Sequence, residues 1–514
     1  MTEHYLDRLA RTIYENWDSP ALTDFYLTED GSAQDTSRGN HYTYGEMYKE
    51  ILHVCDIFHA LGLQKGDHIA ICGANSAHWA IAYLAIAAYQ GVAVTILYSQ
   101  VPEDIAHQID FSDSKALFTD VALWDELHDI TLPQVEYVIN LDNWQILLGK
   151  KIANHHTVSA DRKKSPIPNH QCQFTHGNPE ELAMICFTSG STGISKGVML
   201  SYKCVSNNVA QAYTLYPLVA NRTFLSLLPY AHMSGLIGDV LSQIVLGRHS
   251  CILKAYPSAG NVMNAYRLLF PYMVVCVPQM INFLADRRSD DLDLLRKSCK
   301  LIFMGGAKTK STIEKQILSA NIPLSIIYGQ TETGASISIS PYKQHRLHSC
   351  GKIVEGMTAR IAPNGEILVK GENVMAGYYK DPEATARKID KDGWLHTGDK
   401  GHLDEDGYLY VEGRLEQDMI VLPNGENIHP EDIERKINAL PEVSESILLA
   451  RNGKLVAIIV PSGVSSASSE SIAEHLLCLI NPQLPLYSQL SSIEFLDEPL
   501  ARTAKNTIKR YLYK

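Results

Sequence analysis

The chain lacks paired cysteines. Its ten cysteines stand singly between Cys55 and Cys478, and no CxxC occurs, which excludes a zinc ribbon and a redox dithiol. Excess positive charge is missing too. Lys and Arg number 45 against 57 Asp and Glu, a formal net charge of −12. Such a surface repels nucleic-acid phosphates, so no nucleic-acid partner is expected. A nucleotide stays admissible, because it needs only a local pocket of cationic groups and backbone N–H groups. The opening MTEHYLDRLARTIYENWD has acidic residues and no apolar core. No secretory signal is therefore expected, and the cytoplasm is the simplest location. Internal repeats are absent, as is the G-x-x-x-x-G-K-[ST] spacing of a Walker A loop.

Two apolar stretches resemble membrane spans, but each is interrupted. Trp79–Tyr98 carries Gln90-Gly91 in its middle, where Ala/Leu-rich sequence gives way to β-branched residues. A buried helix, a turn and a buried strand fit this better than a span. Leu268–Ala285 contains Pro271 and Pro278 and reads as strand, turn and helix, so no transmembrane segment is expected.

At 514 residues the chain is long enough for more than one domain. Its first 400 residues alternate apolar runs with helical patterns. The runs include His68–Cys72, Ala116–Thr119, Val135–Asn140, Ala183–Thr188, Phe224–Leu228, Met273–Val277 and Leu301–Met304. Strands alternating with helices predict an α/β fold, a large N-terminal domain of parallel-rich sheets flanked by helices. From Asp381 the pattern shifts to short strands separated by Gly/Asp turns. A helix is expected from His429, a strand at Leu455–Val460 and a second helix near Ser471–Leu479. Residues 414–514 are read as a small α+β domain, and 1–413 as the large one.

The strongest chemical feature is Phe187 to Gly197, an apolar strand entering a loop of small and hydroxyl residues with one lysine. Thr188, Ser189, Gly190, Ser191, Thr192 and Gly193 let backbone N–H groups turn inward as an anion nest, and Lys196 adds an ammonium. A second strand ends in Gly305, Gly306 and Ala307, where a flat ring could lie against bare backbone. Tyr328, Gly329, Gln330, Thr331 and Glu332 follow, with an aromatic face, polar donors and a carboxylate in one turn. Later come Gly377-Tyr378-Tyr379, Trp394 to Asp399, and Gly413-Arg414.

This ordered set resembles the adenylate-forming (AMP-binding) superfamily, closest to its fatty acyl-CoA synthetase branch in the wording NGENIHPEDIE near Gly425–Pro430. The resemblance implies activation of a small-molecule carboxylic acid by ATP and Mg²⁺, then transfer to coenzyme A, the small C-terminal domain being mobile between the steps. By the same resemblance, Thr188–Gly193 and Lys196 close over the phosphates, and Gly305, Gly306 and Ala307 border the adenine and the carboxylate. Tyr328, beside Gly329 and Gln330, stacks on the base. Thr331 touches the α-phosphate and Glu332 ligates magnesium. Asp399 and Arg414 hold the ribose, while His232 and Gly235 border the acid.

Two departures stand out. Gly413-Arg414-Leu415-Glu416-Gln417-Asp418 has one residue more than the family's hinge. Near the C-terminus, Thr507 occupies the position of the family's catalytic lysine. Lys505 or Lys509 is the candidate substitute. The alternatives are a carrier-protein acceptor or a catalytically impaired ATP-binding homologue. The stretch Leu228–Gly235 has no carboxylate, which weighs against an amino-acid substrate.

Overall fold

A computed structural model describes residues 3–35, 37–127, 129–149, 172–174, 176–188, 195–215, 222–278, 280, 295–297, 299–306, 311–342, 344–415, 420–422, 426–428, 430–462, 469–496, 498–501 and 510–513. The chain divides into two compact units. The first comprises Met1–Tyr98, Ile105–Phe187 and Gly197–Gly413; the second comprises Ser99–Asp104, Thr188–Lys196 and Arg414–Lys514.

In the first unit the suspected membrane span resolves as the pattern requires. Ala77–Ala88 is a helix with every residue buried, capped by Ser76 Oγ accepting from the Trp79 amide. Gln90 takes φ +62° in the turn, and Val92–Ile96 follows as a strand buried along its whole length. Among the described residues no helix is long and apolar enough to cross a membrane.

Two large sheets organise this unit. Among the described residues, one runs in the order Gly377–Tyr378, Lys196–Ser201, Leu182–Thr188, Val92–Ile96, His68–Cys72, Ala116–Thr119, Tyr137–Asn140, Ile146–Leu148. From Leu182–Thr188 to Tyr137–Asn140 the pairs are parallel, as apolar runs joined by helices demand. The other runs Lys352–Ile353, Ser338–Ile339, Leu324–Tyr328, Leu301–Met304, Met273–Cys276, Thr223–Ser226, His249–Leu253, Pro20–Phe25, His41–Thr43. From Leu324–Tyr328 to Pro20–Phe25 every pair is parallel. The strand expected at Phe224–Leu228 stops at Ser226. The Leu227 and Leu228 amides leave the ladder and donate to the Asp239 carboxylate instead.

A separate antiparallel sheet begins at Met357, ahead of the expected Asp381. Met357–Ile361 pairs with Glu366–Gly371, which pairs with Leu395–Leu403. Within it lies the helix Pro382–Lys388, capped by Asp381 accepting from the Ala384 amide. Proline at its first turn suits a helix start.

The second unit carries a sheet of Val443–Arg451, Lys454–Pro461 and Leu490–Phe495, with helices Pro430–Asn438 and Ser469–Ile480. Ile437, Ile459, Leu476 and Ile480 are fully buried in its core. The strand Val443–Arg451 is additional to the sequence reading. Asn452 and Gly453, both at positive φ, close its hairpin with Lys454–Pro461, the Asn-Gly signal of a two-residue turn. Glu434 and Arg510 form a buried bidentate pair, both bonds 2.6 Å, and Glu434 also accepts from the Leu448 amide. Removing one partner strands a buried charge, so Arg510→Met should cost about 3–5 kcal/mol. In calorimetry the second unit's transition should fall while the first unit's holds, and Glu434→Leu on top should restore much of the loss.

Candidate active site

Parallel strands deliver their following loops to one edge, the carboxyl edge, where α/β sheets place ligands. Leu301–Met304 and Leu324–Tyr328 are adjacent and in register. Gly305-Gly306 and Gly329-Gln330 therefore emerge side by side. At Gly329 a Cβ would stand 1.9 Å from the Ala335 carbonyl oxygen, so only glycine lets the chain fold back there. Thr331–Thr333 then makes one 3₁₀ turn, closed by Thr333 Oγ1 donating to the Gln330 carbonyl at 2.9 Å.

That edge is tied to the antiparallel sheet. Tyr328 Oη donates to Asp399 Oδ2 at 2.7 Å, and Gln330 Nε2 donates to the Thr397 carbonyl at 3.4 Å. Thr397 is held by its own hydroxyl donating to Ile367 O at 2.7 Å, so the buried Asp399 has a fixed base. Two motifs 71 residues apart thus form one polar wall.

Glu332 is anchored separately. Tyr378 Oη donates to Glu332 Oε1 at 2.7 Å, and the Met375 amide donates to the Glu332 carbonyl at 2.9 Å. Burial, then the Glu332 charge, push the Tyr378 hydroxyl above its ordinary pKa. The Cys186 thiol is pushed up to about 11, first by burial, with the Glu332 charge contributing. No group of three or more His, Cys, Asp or Glu forms a metal cage among the described residues. Magnesium needs none, since one or two carboxylates plus substrate phosphates hold it. The anchored Glu332 carboxylate fits that donor set.

Gly305, Gly306, Tyr328, Gly329, Gln330, Thr331, Glu332 and Asp399 are thus brought together within the first unit. Thr188 ends one strand and Lys196 opens the next, and both belong to the second unit, as does Arg414 at the end of Leu409–Arg414. Ser189, Gly190, Ser191, Thr192, Gly193 and Ala307 lie outside the described residues, as do Lys505, Thr507 and Lys509.

His232 and Gly235 flank the start of a π-helix, Gly235–Leu241, and His232 is half-buried. The stretch Leu228–Gly235 has no carboxylate of its own. The fold supplies one from beneath. Asp239 Oδ2 accepts from Leu227 N at 2.7 Å, Leu228 N at 2.9 Å and Ser226 Oγ at 3.1 Å. Full burial raises its pKa from 3.8 to about 7, against the pull of those three bonds. The signal was a lone Asp inside the apolar run Leu236–Leu241, which has meaning only once the helix is wound.

Residues 9–379 match the model of the AMP-binding enzyme family. The chain belongs to that family. Residues 417–513 match the family's C-terminal domain. Indoleacetate–CoA ligase of Aromatoleum aromaticum is 30% identical over 65% of this chain and 66% of its own length. 4-Coumarate–CoA ligase 4 of Arabidopsis thaliana is 25% identical over 90% and 84%. A long-chain-fatty-acid–CoA ligase of Rattus norvegicus is 27% identical over 81% and 66%. In fold, the chain matches o-succinylbenzoate CoA synthetase of Bacillus subtilis at a TM-score of 0.78 and 23% identity, covering 98% of this chain and 97% of that one. Like other family members, it pairs a large α/β unit with a small C-terminal one.

Two outcomes follow from this geometry. Tyr378→Phe removes a charge-assisted bond worth about 1.5–3 kcal/mol. Urea unfolding of Tyr378→Phe, Glu332→Gln and the double variant should show non-additive losses, and strict additivity would mean the pair is uncoupled. The second concerns Asp239. With a folded pKa near 7 against 3.8 unfolded, the folded chain holds a proton that the unfolded chain releases. Its stability contribution is complete below the lower value and is lost as pH rises through the upper. Asp239→Asn has no such loss. Its stability relative to wild type should climb by about 1.4 kcal/mol per unit between pH 5 and pH 7, read from urea midpoints.

Proposed function

We propose that the chain uses ATP to convert a carboxylic acid to an acyl adenylate and then passes the acyl group to coenzyme A. The observation that carries the reading is the pairing of Tyr328 with Asp399 and Tyr378 with Glu332 along one carboxyl edge. It sets an aromatic face, a buried carboxylate and an anchored carboxylate around bare glycine backbone, in a chain of the AMP-binding enzyme family. The relatives' names support an acid–thiol ligase, and they span indoleacetate, coumarate and long-chain fatty acids. Fatty acids are the first candidates, on the wording of Gly425–Pro430. A cytoplasmic location suits the supply of ATP and coenzyme A.

In this reading the acid's carboxylate oxygen attacks the α-phosphorus, and the bond to pyrophosphate breaks. The enzyme's task is alignment and the balancing of crowded negative charge. Tyr328, with Gly305, Gly306 and Ala307, holds the base, and Asp399 and Arg414 hold the ribose. Thr188 to Gly193 and Lys196 cradle the β- and γ-phosphates, while Thr331 contacts the α-phosphate. Glu332 would hold magnesium, which when bound would supply positive charge against the phosphates. Lys505 supplies the cation that Thr507 lacks. In the second step the thiol attacks the acyl carbon and AMP leaves. We place the domain boundary of this two-step enzyme at Gly413-Arg414.

Thr507 favours a second reading, an ATP-binding homologue with impaired turnover. Pyrophosphate release should be measured with ATP and Mg²⁺ on a panel of fatty and aryl acids, with and without coenzyme A, for wild type, Thr507→Lys and Lys505→Ala. Repeated wild-type turnover that needs both an acid and coenzyme A, with acid alone giving only a single-turnover release, and that collapses in Lys505→Ala, is the expected result. Release with acid alone, unchanged by coenzyme A, would point to another acceptor such as a carrier protein. A silent wild type beside an active Thr507→Lys would sink the ligase reading in favour of the impaired one.

A further inference from the structure

The turn that carries His232 is held by side chains from several elements. At Ser226 the chain leaves the nine-stranded sheet and runs through Leu227-Leu228-Pro229-Tyr230-Ala231 to His232. Buried peptide groups that leave a ladder must find other partners, and here they find side chains. Asp239 Oδ2 takes the Leu227 and Leu228 amides at 2.7 and 2.9 Å. Asn75 clasps the next residues, donating from Nδ2 to Leu228 O at 2.7 Å and accepting at Oδ1 from Tyr230 N at 2.9 Å. Thr95 Oγ1 donates to Ala231 O at 3.1 Å, with Cys186 Sγ at 3.4 Å. The His232 amide closes the turn onto Pro229 O at 3.1 Å.

Asp239 is the costly member of this set. It is fully buried, and its second oxygen, Oδ1, has no hydrogen-bond partner among the described residues. A buried carboxyl half-satisfied in this way is unfavourable by itself, and an apolar residue would fill the space at lower cost. It also sits in a π-helix, an irregularity that recurs at functional sites. At the start of that helix a Cβ on Gly235 would stand 2.0 Å from Pro229 O, so the helix is pressed directly against the turn. Helix, carboxylate and turn form one rigid piece.

We propose that Asp239 is a positioning residue: through the Leu227 and Leu228 amides it fixes the turn that sets where His232 stands against the acid. Asn75, in the loop after His68–Cys72, holds the same turn through Leu228 O and the Tyr230 amide. The proposal rests on the reading that His232 and Gly235 border the acid, and it concerns binding of the acid rather than of ATP. Both anchors act on the backbone of the turn, so their loss should move the acid's KM and leave that of ATP.

The test compares wild type, Asp239→Asn, Asp239→Leu and Asn75→Ala by two readouts. One is hydrogen exchange of a peptide covering residues 224–234; the other is the KM of acid and of ATP in pyrophosphate release. Asparagine keeps a carbonyl oxygen for the two amides. Asp239→Asn should therefore retain exchange protection and an acid KM within about twofold, whereas Asp239→Leu should lose protection and raise the acid KM about tenfold. The ATP KM should stay put in both. Unchanged exchange and KM in Asp239→Leu would overturn the proposal, as would equal rises in both KM values. If Asp239→Leu fails to fold, Asn75→Ala decides: an acid-specific rise supports the clamp, and its absence overturns it. If wild type releases pyrophosphate with no acid at all, the ligase reading falls, while exchange still decides whether Asp239 holds the turn.

Discussion

The carboxyl edges of two parallel sheets meet over a single turn, Leu227–His232, and the rest of the large unit is arranged around that meeting. Asn75 follows the strand His68–Cys72, while Thr95 and Cys186 lie in Val92–Ile96 and Leu182–Thr188 of the same sheet. All three reach the turn that leaves Thr223–Ser226 of the other sheet. Parallel strands make this possible because each crossover returns the chain in the same direction, so successive loops collect on one edge. Groups far apart in sequence then stand within hydrogen-bond reach without any of them leaving a regular element for long.

The polar cost of such an edge is met group by group. Asp399 receives Tyr328, Glu332 receives Tyr378, and Asp239 receives two amides and a hydroxyl. Each carboxylate is paired with a donor from another element, so each bond fixes the element as well as the charge. A purely structural counterpart lies behind the edge. Glu314, almost fully buried, takes His345 Nε2 at 2.5 Å and the His348 amide at 2.9 Å. That cluster knits the helix Ser311–Ser319 to the loop after Ser338–Ile339.

Strands stood out wherever burial was complete. His68–Cys72, Ala116–Thr119 and Leu301–Met304 have the expected bounds, because an apolar run between turn residues has little else to become. The helix–turn–strand within Trp79–Tyr98 was legible for the same reason, with Gln90-Gly91 as its punctuation. Strands that alternate weakly were harder. Met357–Ile361 has a broken burial pattern and two polar residues, Thr358 and Arg360, and its identity comes from pairing with Glu366–Gly371. Pro382–Lys388 is seven residues long, too short for a helical period to show.

For the proposed site, residue types and order singled out the aromatic, carboxylate and glycine positions, because the pattern is local: a strand, then small residues, then donors. The sequence by itself also determined the α/β class, since alternating apolar and amphipathic segments bury their apolar faces as a parallel sheet flanked by helices. Which side chain answers which was decided only by the tertiary structure. The bond from Tyr378 to Glu332 and the grip of Asp239 on Leu227 and Leu228 join residues that no period or spacing connects. They meet because hydrogen bonds are satisfied in space, after two sheets and a π-helix have set the distances.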